Sequence, residues 1–280
     1  MEGWLTPRQL QQKVVDLVNG ARHRHNITEG CGGQEVCERL GLRLERRPIT
    51  SGADGLLVDD HVIVNDALSW VARIEFTIFH EIVHHLLDED GELIDYFTRT
   101  LRNDPVAFEA AIERCCHQGA AEFLMPNDHV RQLIAAEGFS TSVIERVAAV
   151  GGASIVAAAI QAAYYAPIDC YVVLCAHGRV PNSWPTRDGL YIEYACAPWH
   201  RKYPLARFTP IPLDHILHHT WRDRAPVSSQ SYVPFRSGKR PPCRCEARWV
   251  RGRVVGILAF EDTIPTGQLP MPFAAEGQTF

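Results

Sequence analysis

The sequence has little net charge, no internal repeat and no C-x-x-C pair of cysteines, and each absence removes a class of protein. A formal net charge of −5 over 280 residues gives no general attraction to phosphate backbones or anionic membranes. The nine cysteines form an odd set without a C-x-x-C pair, which argues against a disulfide framework. The first residues lack a basic segment followed by an apolar run. These features predict a protein of the reducing cytoplasm, with no membrane contact and no direct DNA binding.

One uncharged stretch, residues 147–168, approaches the roughly 20 residues that a bilayer-spanning helix requires. Alanine dominates this stretch, and alanine contributes little transfer free energy to membrane insertion. Gly151, Gly152, Ser154 and Gln161 also interrupt the apolar run. We therefore predict a buried helical hairpin here and no membrane span.

The composition is typical of a globular protein, with 46% apolar and 22% charged residues. The length of 280 residues exceeds the roughly 100–200 residues of one compact domain, which predicts two modules. Helical periodicity dominates the first half, whereas short strand-like runs between Pro, Gly and Asn clusters dominate the second half. The fold class that follows is α+β.

Local patterns place the individual elements. Thr6 followed by Pro7 is a favourable helix start, and apolar residues repeat behind it at helical spacing. Two helices around a glycine turn, within residues 140–165, have the outline of a helix-turn-helix. The other predicted helices span 67–87, 105–124 and 128–136. The predicted strands are 56–58, 62–64, 170–175, 190–194, 231–235, 244–250 and 254–260.

His80, Glu81 and His84 form an H-E-x-x-H pattern inside the long predicted helix. A spacing of four residues places both imidazoles on one helix face, where their nitrogens can bind one tetrahedral ion at about 2.0–2.1 Å. Glu81 projects from the neighbouring position, where its carboxylate can act as general base for the attack of water on an amide carbonyl. The pattern therefore predicts a zinc-dependent peptidase.

Chance is the alternative, because short patterns with two free positions recur on solvated helix faces. Here the flanking residues predict a mostly buried helix, in which His and Glu side chains without a partner are costly. The apolar flanks are Phe76, Phe79, Ile82, Val83, Leu86 and Leu87. The expected burial of His80, Glu81 and His84 therefore favours a metal site over a chance pattern. Imidazole and carboxylate ligands suit Zn²⁺, and they also accept Mn²⁺ in its place.

The third ligand is less constrained by spacing. Glu113 lies 29 residues after His84 on a second predicted helix, which can cross the first and supply a carboxylate. Asp90, six residues after His84, is the alternative, but the pattern that uses this spacing needs a glycine turn where the chain has Leu87. His117 shares the face of Glu113, and we expect it to orient a ligand or substrate rather than bind the ion. His85, Tyr96 and His117 are the candidate oxyanion or substrate contacts.

These residues resemble the ImmA/IrrE family of metallopeptidases, and its IrrE-type branch of radiation and DNA-damage response regulators in particular. The matching blocks are Asn65, the Phe76-Thr77 pair before His80, the segment 113–126 and the segment 232–238. Together they cover most of the chain. The resemblance implies that His80, His84 and Glu113 bind zinc and that Glu81 is the catalytic glutamate.

The resemblance also implies the organisation and the substrate. It implies a mostly helical, zincin-like peptidase domain over residues 1–128, a helix-turn-helix segment over 129–166, a GAF-like α+β sensor domain over 167–264 and a flexible tail over 265–280. Members of the family cleave a helix-turn-helix repressor and thereby derepress stress or DNA-damage genes. Val83, Phe79, Glu75 and His117 depart from residues usual in the family, and bulky Val83 and Phe79 are expected to narrow the cleft.

A DNA-binding regulator with a vestigial peptidase fold is the alternative function. The second helix of the helix-turn-helix outline offers Gln161 and no Arg, Lys or Asn that could reach base edges. No Lys or Arg lies between Arg146 and Arg179, so the charge that would neutralise phosphates is missing. We expect structural packing for this element.

The second half contains three further groups of interest. His215, His218 and His219 suggest either a second metal site or a helix face with partly exposed imidazoles, and we favour the helix face. Cys243 and Cys245 lie on one face of a predicted strand, with no further ligand evident.

The third group is a basic loop that follows the strand predicted at 231–235. Tyr232, Arg236 and Ser237 are its candidate contacts for a small-molecule or metal signal at the C-terminal domain, a role inherited from the family resemblance. Lys239 and Arg240 give the loop its positive charge.

Overall fold

The computed structural model describes residues 5–181, 187–198, 201 and 203–260. The predicted flexible tail, 265–280, lies outside these residues. The chain forms two compact units, one of residues 1–126 with 151–154 and the other of residues 127–150 with 155–280. The first unit is mainly helical and the second contains the larger sheet, so the predicted α+β class is confirmed.

The first unit contains five helices and a small sheet within the described residues. Its helices are α1 (Pro7–Arg24), α2 (Gly33–Leu40), α3 (Val71–Asp90), α4 (Glu92–Leu101) and α5 (Pro105–Leu124). Its strands are β1 (Arg43–Arg47), β2 (Gly55–Val58) and β3 (His61–Asn65). The predicted first helix is confirmed: the Thr6 hydroxyl accepts a hydrogen bond from Gln9 N–H, and the Gln9 side chain accepts one from Thr6 N–H.

The small sheet has the strand order β1-β3-β2, which leaves β2 at an edge. β2 and β3 form the predicted tight antiparallel pair, with Val58 opposite His61. Asp59 in the connecting turn has a positive φ of 54°, a conformation that Asp tolerates better than most residues. β1 joins β3 in parallel and was not predicted.

The long helix α3 begins at Val71 instead of at the predicted residue 67. Asn65 explains the difference, because its side-chain oxygen accepts from Ala67 N–H and its backbone carbonyl accepts from Leu68 N–H, which forms a turn before the helix. The helix continues to Asp90, and Gly91 ends it with a left-handed φ of 71°.

Within the described residues, the second unit contains four helices and a five-stranded sheet. The helices are α6 (Asn127–Glu137), α7 (Thr141–Val150), α8 (Ile155–Tyr164) and α9 (Ile216–Asp223). The strands are β4 (Cys170–Arg179), β5 (Asp188–Cys196), β6 (Val227–Tyr232), β7 (Pro242–Val250) and β8 (Arg253–Ala259). The sheet is antiparallel, with the order β5-β4-β8-β7-β6. The GAF-like assignment stays a prediction.

The strand predicted at 231–235 is displaced toward the N-terminus, because β6 ends at Tyr232. Beyond that point Val233 N–H donates to the Pro241 carbonyl and closes the loop 233–241. The loop connects β6 to its antiparallel neighbour β7. Part of the β-branched and aromatic segment 231–235, which was predicted as a strand, therefore lies in the loop between β6 and β7.

α7 and α8 pack with the sheet of their own unit. The Glu246 carboxylate on β7 accepts hydrogen bonds from Thr141 N–H at 2.7 Å and Thr141 Oγ1 at 2.5 Å, at the start of α7. The two helices meet at 117°. Among the described helices, no single one is long and apolar enough to cross a bilayer, and this bent pair passes such a test only by its combined length and composition.

Candidate metal centre

Three side chains from two helices converge in the first unit. His80 and His84 lie on α3, and Glu113 lies on α5. His80 Nε2 is 3.3 Å from Glu113 Oε2, and His84 Nε2 is 3.3 Å from Glu113 Oε1. Two nitrogens and one carboxylate therefore face a common point, which is the donor set of a His₂Glu site.

The close approach of α3 and α5 brings Glu113 to the histidines. Phe79 of α3 stacks on Phe123 of α5 with the ring centroids 5.0 Å apart. Val83 of α3 lies directly against Gly119 of α5, where a side chain would not fit. The apolar residues that alternate with the candidate ligands along α3 thus form the interface that positions the carboxylate.

Burial shifts the pKa values of the adjacent residues His80 and Glu81 in opposite directions. It lowers the pKa of His80 to about 3, helped by the neighbouring His117 and His84. It raises the pKa of Glu81 to about 7, helped by the negative charge of Glu113, while a backbone hydrogen bond with Leu57 lowers it. A buried neutral imidazole keeps the lone pair that a divalent ion needs. The residues present therefore fit a bound divalent ion.

Glu81 is fixed by a close contact with the edge strand. A Cβ atom on Gly55 of β2 would lie 2.7 Å from Glu81 Oε1 and 2.5 Å from Thr77 Cγ2. Such distances are shorter than any side chain tolerates, so the carboxylate occupies the space above this glycine. The sequence gives no signal for this contact, because it depends on how β2 lies on α3.

The centre opens into a cleft of about 610 Å³. Strand β2 forms one wall, and α3 and α5 form the others. The lining residues are Ala53, Asp54, Gly55, Leu56, Leu57, Arg73, Phe76, Thr77, His80, Glu81, His84, Asp88, Glu109, Glu113 and His117. A cavity of this size is in the usual range for ligand-binding clefts, about 300–1,000 Å³.

Sequence reasoning missed several of these lining residues. Arg73 Nε donates to Asp54 Oδ2 at 2.6 Å and ties the start of α3 to the segment before β2. Cys116 was also missed; it does not line the cleft, but its sulfur and the ligand nitrogens of His80 and His84 lie within 4.8 Å of one another. Its position three residues after Glu113, on the same helix, is the signal that could have pointed to it.

Of the three predicted oxyanion or substrate contacts, one lines the cleft and two do not. His117 lies in the cleft, with its ring centroid 4.7 Å from that of His80. His85 and Tyr96 are not brought to the cleft lining. The Tyr96 hydroxyl instead accepts a hydrogen bond from Leu5 N–H at 2.8 Å, so it ties α4 to the residues before α1.

The expectation that Val83 and Phe79 narrow the cleft is wrong. Both side chains are buried, and neither lines the cleft. Each of them directly precedes a ligand in the sequence, so its side chain lies on a different side of α3, in the interface with α5. Their bulk determines helix packing rather than access to the centre.

Of the histidines at 215, 218 and 219, the first two make structural hydrogen bonds. His215 is fully buried; its Nδ1 accepts from Leu217 N–H at the start of α9, and its Nε2 donates to the Tyr232 carbonyl at 2.8 Å. His218 Nε2 is 3.0 Å from the Ile211 carbonyl, and His219 is exposed. None of the three joins a cluster of metal-ligand atoms among the described residues.

Cys243, Cys245 and the basic loop after β6 are likewise absent from the clusters of metal-ligand atoms among the described residues. Cys243 and Cys245 are buried, and neither forms a disulfide bond among the described residues. The Tyr232 hydroxyl donates to Asp214 Oδ1, while Arg236 and Ser237 are exposed in the loop after β6. A sensor role for this loop stays a prediction.

Comparison with known proteins places the chain in a family. Residues 37–162 match the family described as the IrrE N-terminal-like domain. The chain is 30% identical over 230 residues to the radiation response metalloprotease IrrE of Deinococcus deserti, covering 81% of this chain and 80% of that protein. It is 27% identical over 265 residues to the protein of the same name from Deinococcus radiodurans, covering 91% of this chain and 77% of that protein.

A solved structure shows a similar fold. It is a Mycobacterium tuberculosis transcriptional regulator, with a TM-score of 0.54 and 13% identity, covering 89% of this chain and 76% of that chain. The identity is too low to transfer any activity. The sequence matches over most of the chain, together with the His₂Glu convergence in the matched region, lead to one conclusion: this chain belongs to the IrrE metalloprotease family.

Proposed function

We propose that this protein is a zinc-dependent endopeptidase that cleaves a helix-turn-helix transcriptional repressor and so derepresses stress and DNA-damage response genes. One observation carries the peptidase part of the proposal. His80, His84 and Glu113 converge in a cleft that Glu81 also lines. Family membership supports peptidase activity and a divalent metal.

The chain's own residues have distinct tasks in this function. A divalent ion held by His80, His84 and Glu113 would polarise a peptide carbonyl and make water more acidic. Glu81 takes the proton from the attacking water and returns it to the leaving amine. A carboxylate whose pKa is near 7, as burial gives Glu81, suits both steps at neutral pH.

Strand β2 suits an extended peptide as substrate. In the described residues β2 pairs with β3 alone, and Gly55, Leu56 and Leu57 of this strand line the cleft. Leu56 of this strand is 40% exposed and lines the cleft. An extended segment of another chain can pair with such an edge, which fits an endopeptidase better than an enzyme for small amides.

The repressor as substrate rests on the family resemblance and on the curated relatives, which are named as radiation response proteases. The alternative, a DNA-binding regulator, is disfavoured by α8. Gln161, the side chain best suited to contact a base, is buried, and its Nε2 donates to Asn127 Oδ1 at 2.8 Å. A recognition helix needs its polar side chains exposed to the major groove.

The test uses the purified protein, Zn²⁺ and the helix-turn-helix repressors encoded by the same cell. E81Q keeps the size of the side chain and removes the base, so cleavage is expected to fall by about 100-fold or more while bound zinc stays the same. H84A is expected to lose both zinc and cleavage. H85A, whose side chain lies outside the cleft lining, is the matched control and should cleave like the unmodified protein.

Mass spectrometry of the products identifies the cleaved bond. Cleavage that persists undiminished in E81Q would refute the assigned base. A specific, tight complex of the E81Q protein with operator DNA at low salt would instead favour the DNA-binding alternative.

A further inference from the structure

His117 occupies an unusual position beside the centre. It lies one helical turn after Glu113 on α5, and its side chain is exposed on the cleft. Ligand atoms of His80, Glu113 and His117 all lie within 4.8 Å of one another. The His117 ring meets the His80 ring edge-on, with the centroids 4.7 Å apart and the planes at 75°.

A hydrogen bond determines which nitrogen of His117 is available. Its Nδ1 is 2.6 Å from the backbone carbonyl oxygen of Glu113. A carbonyl oxygen only accepts, so Nδ1 must carry the proton and donate. In a neutral imidazole this leaves Nε2 with a lone pair, which accepts a proton or binds a metal but cannot donate to an oxyanion.

The same arrangement is typical of histidines that bind metals. Such residues almost always donate their second ring N–H to a carbonyl or carboxylate, which fixes the ring and its tautomer. His117 has this supporting contact from Glu113, a residue that itself belongs to the donor set. The geometry therefore fits a ligand better than a hydrogen-bond donor to substrate.

We propose that His117 Nε2 is a fourth protein donor to the divalent ion, a proposal that rests on the metal centre of the proposed function. His80, His84, Glu113 and His117 then fill the four positions that zinc prefers, whereas catalytic zinc sites normally keep one position open. With all four donors bound, the ion would have no open position. A substrate carbonyl would then reach it only after the exposed His117 side chain leaves the donor set.

Cobalt titration of the purified full chain tests the proposal, with Co²⁺ alone as the probe. Four-coordinate Co²⁺ absorbs visible light more strongly than Co²⁺ with more ligands. H117N keeps an amide that can donate to the Glu113 carbonyl but lacks the imidazole lone pair. It is expected to bind one Co²⁺ with weaker visible absorption and with an affinity at least about 10-fold lower.

H117C supplies a different donor at the same position. It is expected to show a cobalt–thiolate charge-transfer band that the unmodified protein and the control variant H85C both lack. Should H117N fail to fold by circular dichroism, H117Q replaces it, because the exposed position tolerates a polar side chain of similar length.

The outcomes separate this proposal from the metal centre itself. Unchanged absorption and affinity in H117N, with no new band in H117C, overturn the role of His117 while leaving the three-donor centre intact. A thiolate band in the unmodified protein that disappears in C116A assigns the fourth donor to Cys116 and also overturns the proposal. If H84A binds Co²⁺ as well as the unmodified protein does, the metal centre of the proposed function is itself refuted.

Discussion

Val83 on α3 occupies the space above Gly119 on α5: a Cβ built on Gly119 would lie 2.6 Å from Val83 Cγ2 and 2.8 Å from Cγ1. The missing side chain at Gly119 lets α3 and α5 approach closely, and Glu113 of α5 lies within 3.3 Å of both His80 and His84.

This contact predicts coupled effects on stability. G119A gains about 1 kcal/mol of helix propensity but forces a clash that costs about 1–3 kcal/mol, so we expect net destabilisation. V83A loses about 2 kcal/mol of buried apolar contact. The double variant should be more stable than the sum of the two changes implies, by about 1 kcal/mol or more in urea unfolding. Additivity within about 0.5 kcal/mol would show that the two side chains do not compete for space.

Substitution of Gly55 by alanine is predicted to lower peptidase activity without loss of bound metal. In G55A the new methyl group displaces Glu81, and misplacement of a catalytic group by about 1 Å can lower the rate by about 100-fold. The bound zinc should stay unchanged, because the three ligands are not touched. Peptidase assays and metal analysis measure the two quantities. G189A, in a strand where a Cβ meets nothing within 4 Å, is the matched control, and equal losses in both variants would argue against a specific contact.

Metal binding is predicted to stabilise the fold, because the ligands come from two helices separated by α4. At a free Zn²⁺ concentration of 100 times the dissociation constant, the gain in unfolding free energy is about 2.7 kcal/mol. Thermal melts with and without a chelator measure it. H84A should show no such gain, and an equal shift in H84A would indicate binding elsewhere.

Because His215 is buried, the second unit is predicted to lose stability in acid. Burial lowers the pKa of His215 below its ordinary value of 6.5, and the neutral form caps α9 through Nδ1. The unfolded chain therefore takes up the proton first, so the unfolding free energy falls as the pH drops below 6.5. H215N can still cap the helix but does not titrate, so its unfolding free energy should depend less on pH between 7 and 5. Identical pH profiles would exclude His215 as the cause.

The sequence predicted the elements that follow local periodicity. The helix that carries His80 and His84, the helix that carries Glu113 and the β2-β3 pair all show regular apolar spacing, and the structure contains them. Strand β1 was missed because its sequence RLERR has no apolar alternation and its parallel partner β3 lies beyond β2 in the chain. Contacts such as Gly55 with Glu81, or Arg73 with Asp54, depend on how elements pack, which no local pattern records.

The hydrogen bonds from Thr141 to Glu246 determine where the chain can be divided. The start of α7 is attached to β7, a strand more than 100 residues later in sequence. Cutting at residue 166, where the sequence suggests a boundary, would strip α7 and α8 of the sheet they pack on and expose their alanine-rich faces to water. A fragment designed for expression should therefore contain residues 127–260 without interruption.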